Sequence, residues 1–355
     1  MGARVNAIGS RQPAVRSWRA VAKGCVWTPA SCLLLLLSGC APEAAPKQEV
    51  PKPAPVQMPP APPFDADSAY AFVAKQVAFG PRVPGTPSHA ACADWIVARL
   101  KASGATVTEQ RGTVTAFNGN PLPLRNIIGS WRPEARDRIL LLAHYDTRPF
   151  ADKDEERRNE PILGANDGGS GVGILLEIAR HLGAATDTAL LGVDLLFTDV
   201  EDYGEPTGAM TMDGNSIATW ALGSQYWAKN PHVPGYTARF GVLLDMCGAK
   251  DARFYQESIS MQYAPQVVRK LWRTAAALGH GDRFVAETRH FVGTDDHLPI
   301  NELLRIPTAD IIEYHEGTRA FHPSWHTHDD DMDVIDRATL QAVGTTVMEV
   351  LWKER

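Results

Sequence analysis

The spacing of hydrophobic residues along the chain predicts where helices and strands lie. Two segments, at about 66–78 and 87–103, have apolar residues at helical spacing. Six later segments are typical of strands: about 105–117, 124–131, 138–144, 190–198, 239–246 and 306–313. Three further helical patterns follow or separate these strands: about 169–183, 262–278 and 335–352.

One predicted strand indicates the fold class. The run Ile139-Leu140-Leu141-Leu142-Ala143 is apolar at every position, as expected of a strand that is covered on both faces. Because strands and helices alternate, we predict a single α/β domain with a mixed, mostly parallel central sheet flanked by helices on both faces. Ligands of such folds bind outside the carboxyl ends of the strands, so the chemistry is expected there.

The first 63 residues predict export and a lipid anchor. Five basic residues, no acidic residue before position 43 and an apolar run at 33–37 are typical of a signal peptide over residues 1–39. Leu37-Ser38-Gly39-Cys40 resembles a lipobox, with Cys40 as the lipidated first residue of the mature chain. Residues 40–63 are rich in Pro and Ala and suit an extended tether, which leaves 64–355 as the catalytic domain. The alternative is an uncleaved leader with an incidental cysteine.

Charge and cysteine content bear on partners and location. Without residues 1–39 the chain has 30 Lys and Arg against 41 Asp and Glu, a formal balance of −11, so nucleic acid is not an expected partner. Ala41, not Asp, follows Cys40, which favours the outer membrane, facing the periplasm. The sequence leaves open whether Cys92 and Cys247 form a disulfide. A monomer is the favoured oligomeric state.

Imidazole and carboxylate side chains cluster where the predicted strands end. Five segments carry them: 143–146, 164–171, 199–202, 243–246 and 325–330. Together they supply the nitrogen and oxygen ligands that zinc accepts. Asp167 lies in a glycine-rich turn before a helix, where it would either bind metal or cap that helix. The charged segment 148–164 is interpreted as a solvated loop beside the site, with a lid as the alternative.

The order and spacing of these segments resemble the zinc aminopeptidase and glutaminyl cyclase superfamily over residues 65–352. Resemblance to its dizinc aminopeptidases implies Glu201 as general base and five metal ligands: His144, Asp167, Asp202, Asp245 and His326. Resemblance to its glutaminyl cyclases implies one zinc ion per chain, held by Asp167, Asp202 and His326. The cyclase pattern more often has Glu at the position of Asp202.

The flanking motifs favour the cyclases. Residues 80–86, 144–147, 294–299, 325–327 and 329–330 are similar to cyclase motifs, and 165–168, 201–204 and 222–227 match the bacterial branch. The resemblance implies that the substrate is a peptide or protein with N-terminal Gln, which is closed into pyroglutamate with release of ammonia.

Residue roles follow from this chemistry. Zinc would polarise the γ-carbonyl, and Glu201 would pass the proton from the attacking amine to the leaving ammonia, with Asp245 and Asp295 sharing protons with it. Trp325, Trp220 and His144 are expected in the substrate pocket, with Trp227 as the alternative to Trp220. A core position is at least as expected for Trp220 and Trp227. Two other functions remain open: a dizinc aminopeptidase, and a lipid-anchored binding module without catalysis.

Overall fold

The computed structural model of the chain describes residues 60–185, 191–206 and 216–354. The predicted signal peptide, Cys40 and most of the predicted tether lie outside these ranges. Within them, no helix combines the length and apolar character needed to cross a bilayer.

A six-stranded sheet lies at the centre of the fold, and a two-stranded sheet lies apart from it. The strands are β1 Thr106–Thr115, β2 Pro121–Trp131, β3 Arg138–His144, β4 Gly192–Thr198, β5 Phe240–Leu244, β6 Phe254–Glu257, β7 Phe284–Arg289 and β8 Thr308–Ile311. The large sheet has the order β1-β2-β4-β3-β5-β8. Strands β4, β3, β5 and β8 are parallel, whereas β1 and β2 are antiparallel to each other and β2 is antiparallel to β4.

Helices cover both faces of this sheet. They are α1 Ala66–Val77, α2 Pro87–Ala102, α3 Gly169–Ala184, α4 Leu222–Lys229, α5 Ser258–Tyr263, α6 Pro265–Ala277, α7 His297–Pro299 and α8 Arg337–Trp352. A π-helical turn, Ile300–Leu304, continues α7.

The alternation of side chains in β3 divides the apolar core into two layers. Ile139 and Leu141 belong to the larger layer, together with residues of α1, α2, α3, α6 and α8. Leu140 and Leu142 belong to the smaller layer, which includes Trp227 of α4. Every residue of β3 and β4 is buried, which confirms that the central strands are covered on both faces.

The fold class predicted from the sequence is confirmed, with differences in detail. The helical pattern at 262–278 is two helices, because Pro265 lacks the N–H that a continuing helix requires and begins α6 instead. Strands β6 and β7 were not predicted, since each is short and they pair with each other in a separate sheet, which a single bridge between Phe254 and Glu313 connects to the segment after β8. For Cys92 and Cys247, whose pairing the sequence left open, the structure shows free buried thiols.

The parallel strands bring four chain segments to one edge of the sheet. His144 ends β3, Thr198 ends β4, Leu244 ends β5 and Ile311 ends β8. The segments that follow these strands carry the polar residues singled out in the sequence. The topology therefore collects them at the carboxyl edge, as expected for an α/β sheet.

Candidate active site

Asp167 lies between two histidines in a buried acidic site. His144 Nε2 is 3.0 Å from Asp167 Oδ1 and 3.2 Å from Asp245 Oδ1. On the other side, His326 Nε2 is 3.3 Å from Asp202 Oδ1 and 3.7 Å from Asp167 Oδ2. The structure thus brings together two sets of three potential metal ligands, and Asp167 belongs to both.

The set formed by Asp167, Asp202 and His326 fits a zinc ion. In a tetrahedral zinc site with ligand distances of about 2.0–2.1 Å, neighbouring ligand atoms are about 3.3 Å apart, close to the spacing seen here. Asp202 Oδ2 is buried and has no hydrogen-bond partner among the described residues, so it is available to a cation. Burial, and the charge of Asp167, raise the pKa of Asp202 to about 6. A divalent cation would relieve this repulsion.

A tight turn directs Asp167 into the site. The turn's backbone is fixed by Asp330, whose carboxylate accepts the N–H of Asn166 at 2.8 Å and the N–H of Asp167 at 3.1 Å. A Cβ atom at Gly168 would lie 2.3 Å from the backbone oxygen of His144, so only glycine allows this approach to β3. The helix-cap alternative for Asp167 is wrong, because Gly168 occupies the cap position and Asp167 faces His144.

A second buried carboxylate fixes the segment after β4. Asp146 Oδ1 accepts the N–H of Glu201 at 3.1 Å, and its Oδ2 accepts the N–H of Asp202 at 3.2 Å. Val200 just before them has a φ of +54°, a left-handed conformation that is rare for a β-branched residue. This sharp turn places Glu201 and Asp202 next to each other at the edge of the cavity.

Glu201 lies among other acidic groups that line the same cavity, including Asp245 and Asp295. Burial raises the pKa of Glu201 well above its usual value; His144 opposes this shift and Asp295 adds to it. Burial raises the pKa of Asp295 strongly as well, and the charge of Asp245 contributes. A raised pKa makes a carboxylate a stronger proton acceptor, which is a property required of a general acid-base group.

Aromatic rings surround the histidine of the proposed zinc set. The ring of Trp325 stacks on His326 with centroids 3.7 Å apart, and Trp220 lies nearly parallel to His326 at 6.0 Å. Both tryptophans line the cavity, whose volume is about 60 Å³. Its apolar side also includes Phe321 and Val292, which the sequence did not single out. Nothing in the spacing of these two residues marks them as pocket residues.

Two predicted pocket candidates lie elsewhere. His144 is buried behind the cavity, with Asp167 and Asp245 at one ring nitrogen and Asp146 at the other, 3.6 Å away. It therefore contacts carboxylates, not the cavity expected for a substrate residue. Trp227 is fully buried in the smaller core layer, where it packs edge-on against Tyr236.

The charged segment 148–164 is more than a solvated loop. Asp152 Oδ1 lies 3.1 Å from Nδ1 of His326, and Asp154 pairs with Nδ1 of His328 at 2.5 Å. A signal for this contact exists in the sequence: two aspartates two residues apart match two histidines at the same spacing. The interpretation as a bland surface loop is therefore wrong for this part of the segment.

The remaining buried histidine near the site is His297. Its Nε2 lies 3.4 Å from Glu257, and its Nδ1 lies 3.8 Å from Asp310. Asp310 is adjacent to Asp295, with which it forms a third potential ligand group together with His297. Burial, and the charges of Asp295 and Asp245, raise the pKa of Asp310 well above its usual value. The raised pKa favours the neutral, protonated form of Asp310.

Known proteins resemble this chain in both sequence and structure. The model of peptidase family M28 matches residues 126–351. A glutaminyl cyclase of Bacteroides thetaiotaomicron, solved with N-acetylhistamine bound, is 50% identical with a TM-score of 0.80, over 83% of this chain and 100% of that one. A Zn-dependent exopeptidase from Parabacteroides distasonis is 47% identical with a TM-score of 0.79, over the same shares of the two chains. The glutaminyl-peptide cyclotransferase of Drosophila melanogaster is 28% identical over 279 residues, 73% of each chain.

Asn166 offers a test of how the turn at Asp167 is supported. Its side chain donates to Glu313 Oε1 at 2.9 Å and accepts the N–H of Gly248 at 2.8 Å. Asn166→Ala leaves both buried groups without a partner, at about 1–3 kcal/mol each, so the free energy of unfolding in urea should fall by several kcal/mol. The exposed Asn159 supplies the control: Asn159→Ala should change stability little. Equal stability of the two variants would contradict this role for Asn166.

Proposed function

The chain belongs to peptidase family M28, and from this premise we propose that it is a zinc-dependent glutaminyl cyclase. It converts N-terminal Gln of peptides or proteins into pyroglutamate and releases ammonia. The main support is 50% identity, over 83% of the chain, to a solved bacterial glutaminyl cyclase. The acidic cavity with its two tryptophans lies within the range that matches the family model.

In this proposal Asp167, Asp202 and His326 would hold one zinc ion per chain. When bound, zinc polarises the γ-carbonyl of the substrate glutamine and stabilises the charge that develops on its oxygen. Trp325 and Trp220 hold the glutamine side chain between apolar walls, because both border the cavity beside His326.

Glu201 moves the proton that the reaction requires. The substrate's α-amine nitrogen forms a bond to the carbon of its own γ-amide, and the bond from that carbon to the amide nitrogen breaks. Glu201 accepts a proton from the attacking amine and returns it to the leaving nitrogen, which departs as ammonia. Asp245 and Asp295 line the cavity beside Glu201. Burial raises the pKa of both carboxyl groups, which favours sharing protons with Glu201.

The proposal of one zinc ion depends on which group compensates the negative charge of Asp245. In a two-metal site, His144 and Asp245 would hold the second ion with Asp167. Here carboxylates face both ring nitrogens of His144, which favours the charged imidazolium. Burial alone would lower the pKa of His144, but the nearby carboxylates of Asp146, Asp167 and Asp245 raise it well above the usual value. A protonated His144 would supply the positive charge that a second metal would otherwise bring.

A second candidate function is a dizinc aminopeptidase. It is favoured by the ligand set His144, Asp167 and Asp245, whose atoms are as closely spaced as those of the first set. The similarity to a Zn-dependent exopeptidase points the same way. In that case Glu201 would activate a water molecule for peptide hydrolysis.

We also propose that the chain is exported, cleaved before Cys40 and held at a membrane by lipid on that residue. The support is the basic and apolar leader and the lipobox-like run that ends at Cys40. The Pro- and Ala-rich residues 41–63 would separate the catalytic domain from the membrane surface.

Glu201→Gln should bind zinc as the wild type does but lose at least a hundredfold in turnover, since general acid-base catalysis contributes about 10²–10⁴. Turnover is followed by ammonia release and by the mass loss of a Gln-initiated peptide, with a chelator-treated sample beside it. Glu156→Gln, on the exposed part of the charged loop, is the matched control and should retain activity. Undiminished activity of Glu201→Gln would remove it as the proton carrier.

Zinc stoichiometry separates the two candidate functions. Elemental analysis should find one zinc per chain, none in His326→Ala and one in His144→Asn. Two zinc ions in the wild type and one in His144→Asn, together with release of an N-terminal amino acid from peptides, would establish the aminopeptidase instead. Circular dichroism of both variants verifies that metal loss does not result from unfolding.

Replacing Cys40 by Ser should release the full-length protein from the membrane fraction into the soluble fraction, because lipid on this residue is the proposed anchor. Metabolic labelling with a fatty acid gives a second readout, which should be positive for the wild type alone. Membrane association of Cys40→Ser equal to that of the wild type would rule out this anchor.

A further inference from the structure

Arg148 is a fully buried arginine at the edge of the proposed zinc site. Its guanidinium carbon lies 4.4 Å from the ring centroid of Phe150 and 4.7 Å from that of Trp220. A charged side chain of this kind is rarely buried without partners. Cation–π contacts on two sides offset only part of the free energy lost when the guanidinium is removed from water. The rest of the compensation must come from its hydrogen bonds.

Those hydrogen bonds lead to two of the three proposed zinc ligands. Nη1 of Arg148 donates to the backbone oxygen of Asp202 at 3.1 Å and lies 3.4 Å from its Oδ1. Nε donates to Asp152 Oδ1 at 2.7 Å. The same oxygen of Asp152 lies 3.1 Å from Nδ1 of His326. One guanidinium is therefore connected directly to Asp202 and, through Asp152, to His326.

We propose that Arg148 and Asp152 are positioning residues that orient Asp202 and His326 and so set the zinc affinity of the site. A carboxylate at Nδ1 favours the His326 tautomer that carries its proton there, which leaves Nε2 free to bind metal. Arg148 donates hydrogen bonds both to Asp152 and to the backbone oxygen of Asp202, and so fixes the positions of these two residues relative to each other. This inference rests on the zinc ligands of the proposed function and not on which reaction the zinc supports.

The backbone around Asp152 reinforces this arrangement. Lys153 N–H donates to the backbone oxygen of His326 at 3.2 Å, and His328 N–H donates to Asp154 Oδ2 at 3.2 Å. Residues 152–154 thus lie alongside 326–328. Asp154 and His328 form a second carboxylate–imidazole pair beside that of Asp152 and His326, but His328 belongs to none of the potential ligand groups found among the described residues.

This repetition provides a matched control. If Asp152 only fastened the loop, Asp154→Asn would weaken zinc binding as much as Asp152→Asn, because both remove one carboxylate from the same contact. If Asp152 orients a ligand, only Asp152→Asn should affect the metal. Losses of about 10- to 100-fold in affinity are usual when the partner of a metal-binding histidine is removed.

The experiment measures zinc affinity by competition with a chromophoric chelator, and urea unfolding of the metal-free protein, for the wild type and three variants. Asp152→Asn should bind zinc 10- to 100-fold more weakly than the wild type. Asp154→Asn should bind within about twofold of it, since its imidazole partner holds no metal. Arg148→Lys keeps the charge but not the planar fork, so it should weaken binding less than Asp152→Asn does. Asp152→Asn should also lose more stability than Asp154→Asn when metal-free, because it removes the carboxylate that pairs with the buried Arg148.

Wild-type affinity in Asp152→Asn, or an equal loss in Asp154→Asn, would overturn the proposal. Should Arg148→Lys fail to fold, the two aspartate variants still decide it. No substrate is present in this measurement, so its result is independent of the reaction. If the zinc affinities of the variants follow the expected order but the wild type does not cyclise a Gln-initiated peptide, the positioning pair is established and the cyclase assignment is wrong.

Discussion

Buried negative charge is the constraint that governs this site. Asp167, Glu201, Asp202, Asp245 and Asp295 all border one small cavity and are almost inaccessible to solvent. Like charges at this spacing cannot all remain ionised in a buried site without compensation. Three kinds of compensation are available here: a metal ion, protons on some of the carboxyl groups, and buried cations. The chemistry of the site depends on how these three are distributed.

Around the cavity, other buried carboxylates fix the backbone of the loops that carry the site residues. Asp146 and Asp330 are buried carboxylates that accept backbone N–H groups beside Glu201, Asp202 and Asp167. Each thereby fixes a loop that carries a reactive side chain. Arg148 and Asp152 extend this arrangement to the ring of His326. The position of every proposed ligand is thus supported by a charged residue that does not itself bind the metal, which is how precise metal sites are generally built.

The two triads that share Asp167 show why the fold alone does not determine the reaction. A metal at His144 and Asp245 would give a two-ion hydrolytic site, whereas a proton on His144 leaves one ion and a proton-carrying network. Both arrangements use the same residues at the same strand ends. Function here is a property of charge compensation within the site, and not of the α/β architecture that presents it.

The sequence by itself determined the architecture and indicated the three residues proposed as zinc ligands. Alternating strand and helix patterns and the apolar run of β3 predicted the sheet, because these signals are local and repeat along the chain. The resemblance of short motifs identified Asp167, Asp202 and His326, which the structure brings together. Only the tertiary structure decided the contacts between charged residues far apart in the chain: Arg148 with Asp202, Asp152 with His326, and His144 behind the cavity with Asp245. Such pairs leave no periodic signal, since they depend on which loops the sheet topology places side by side.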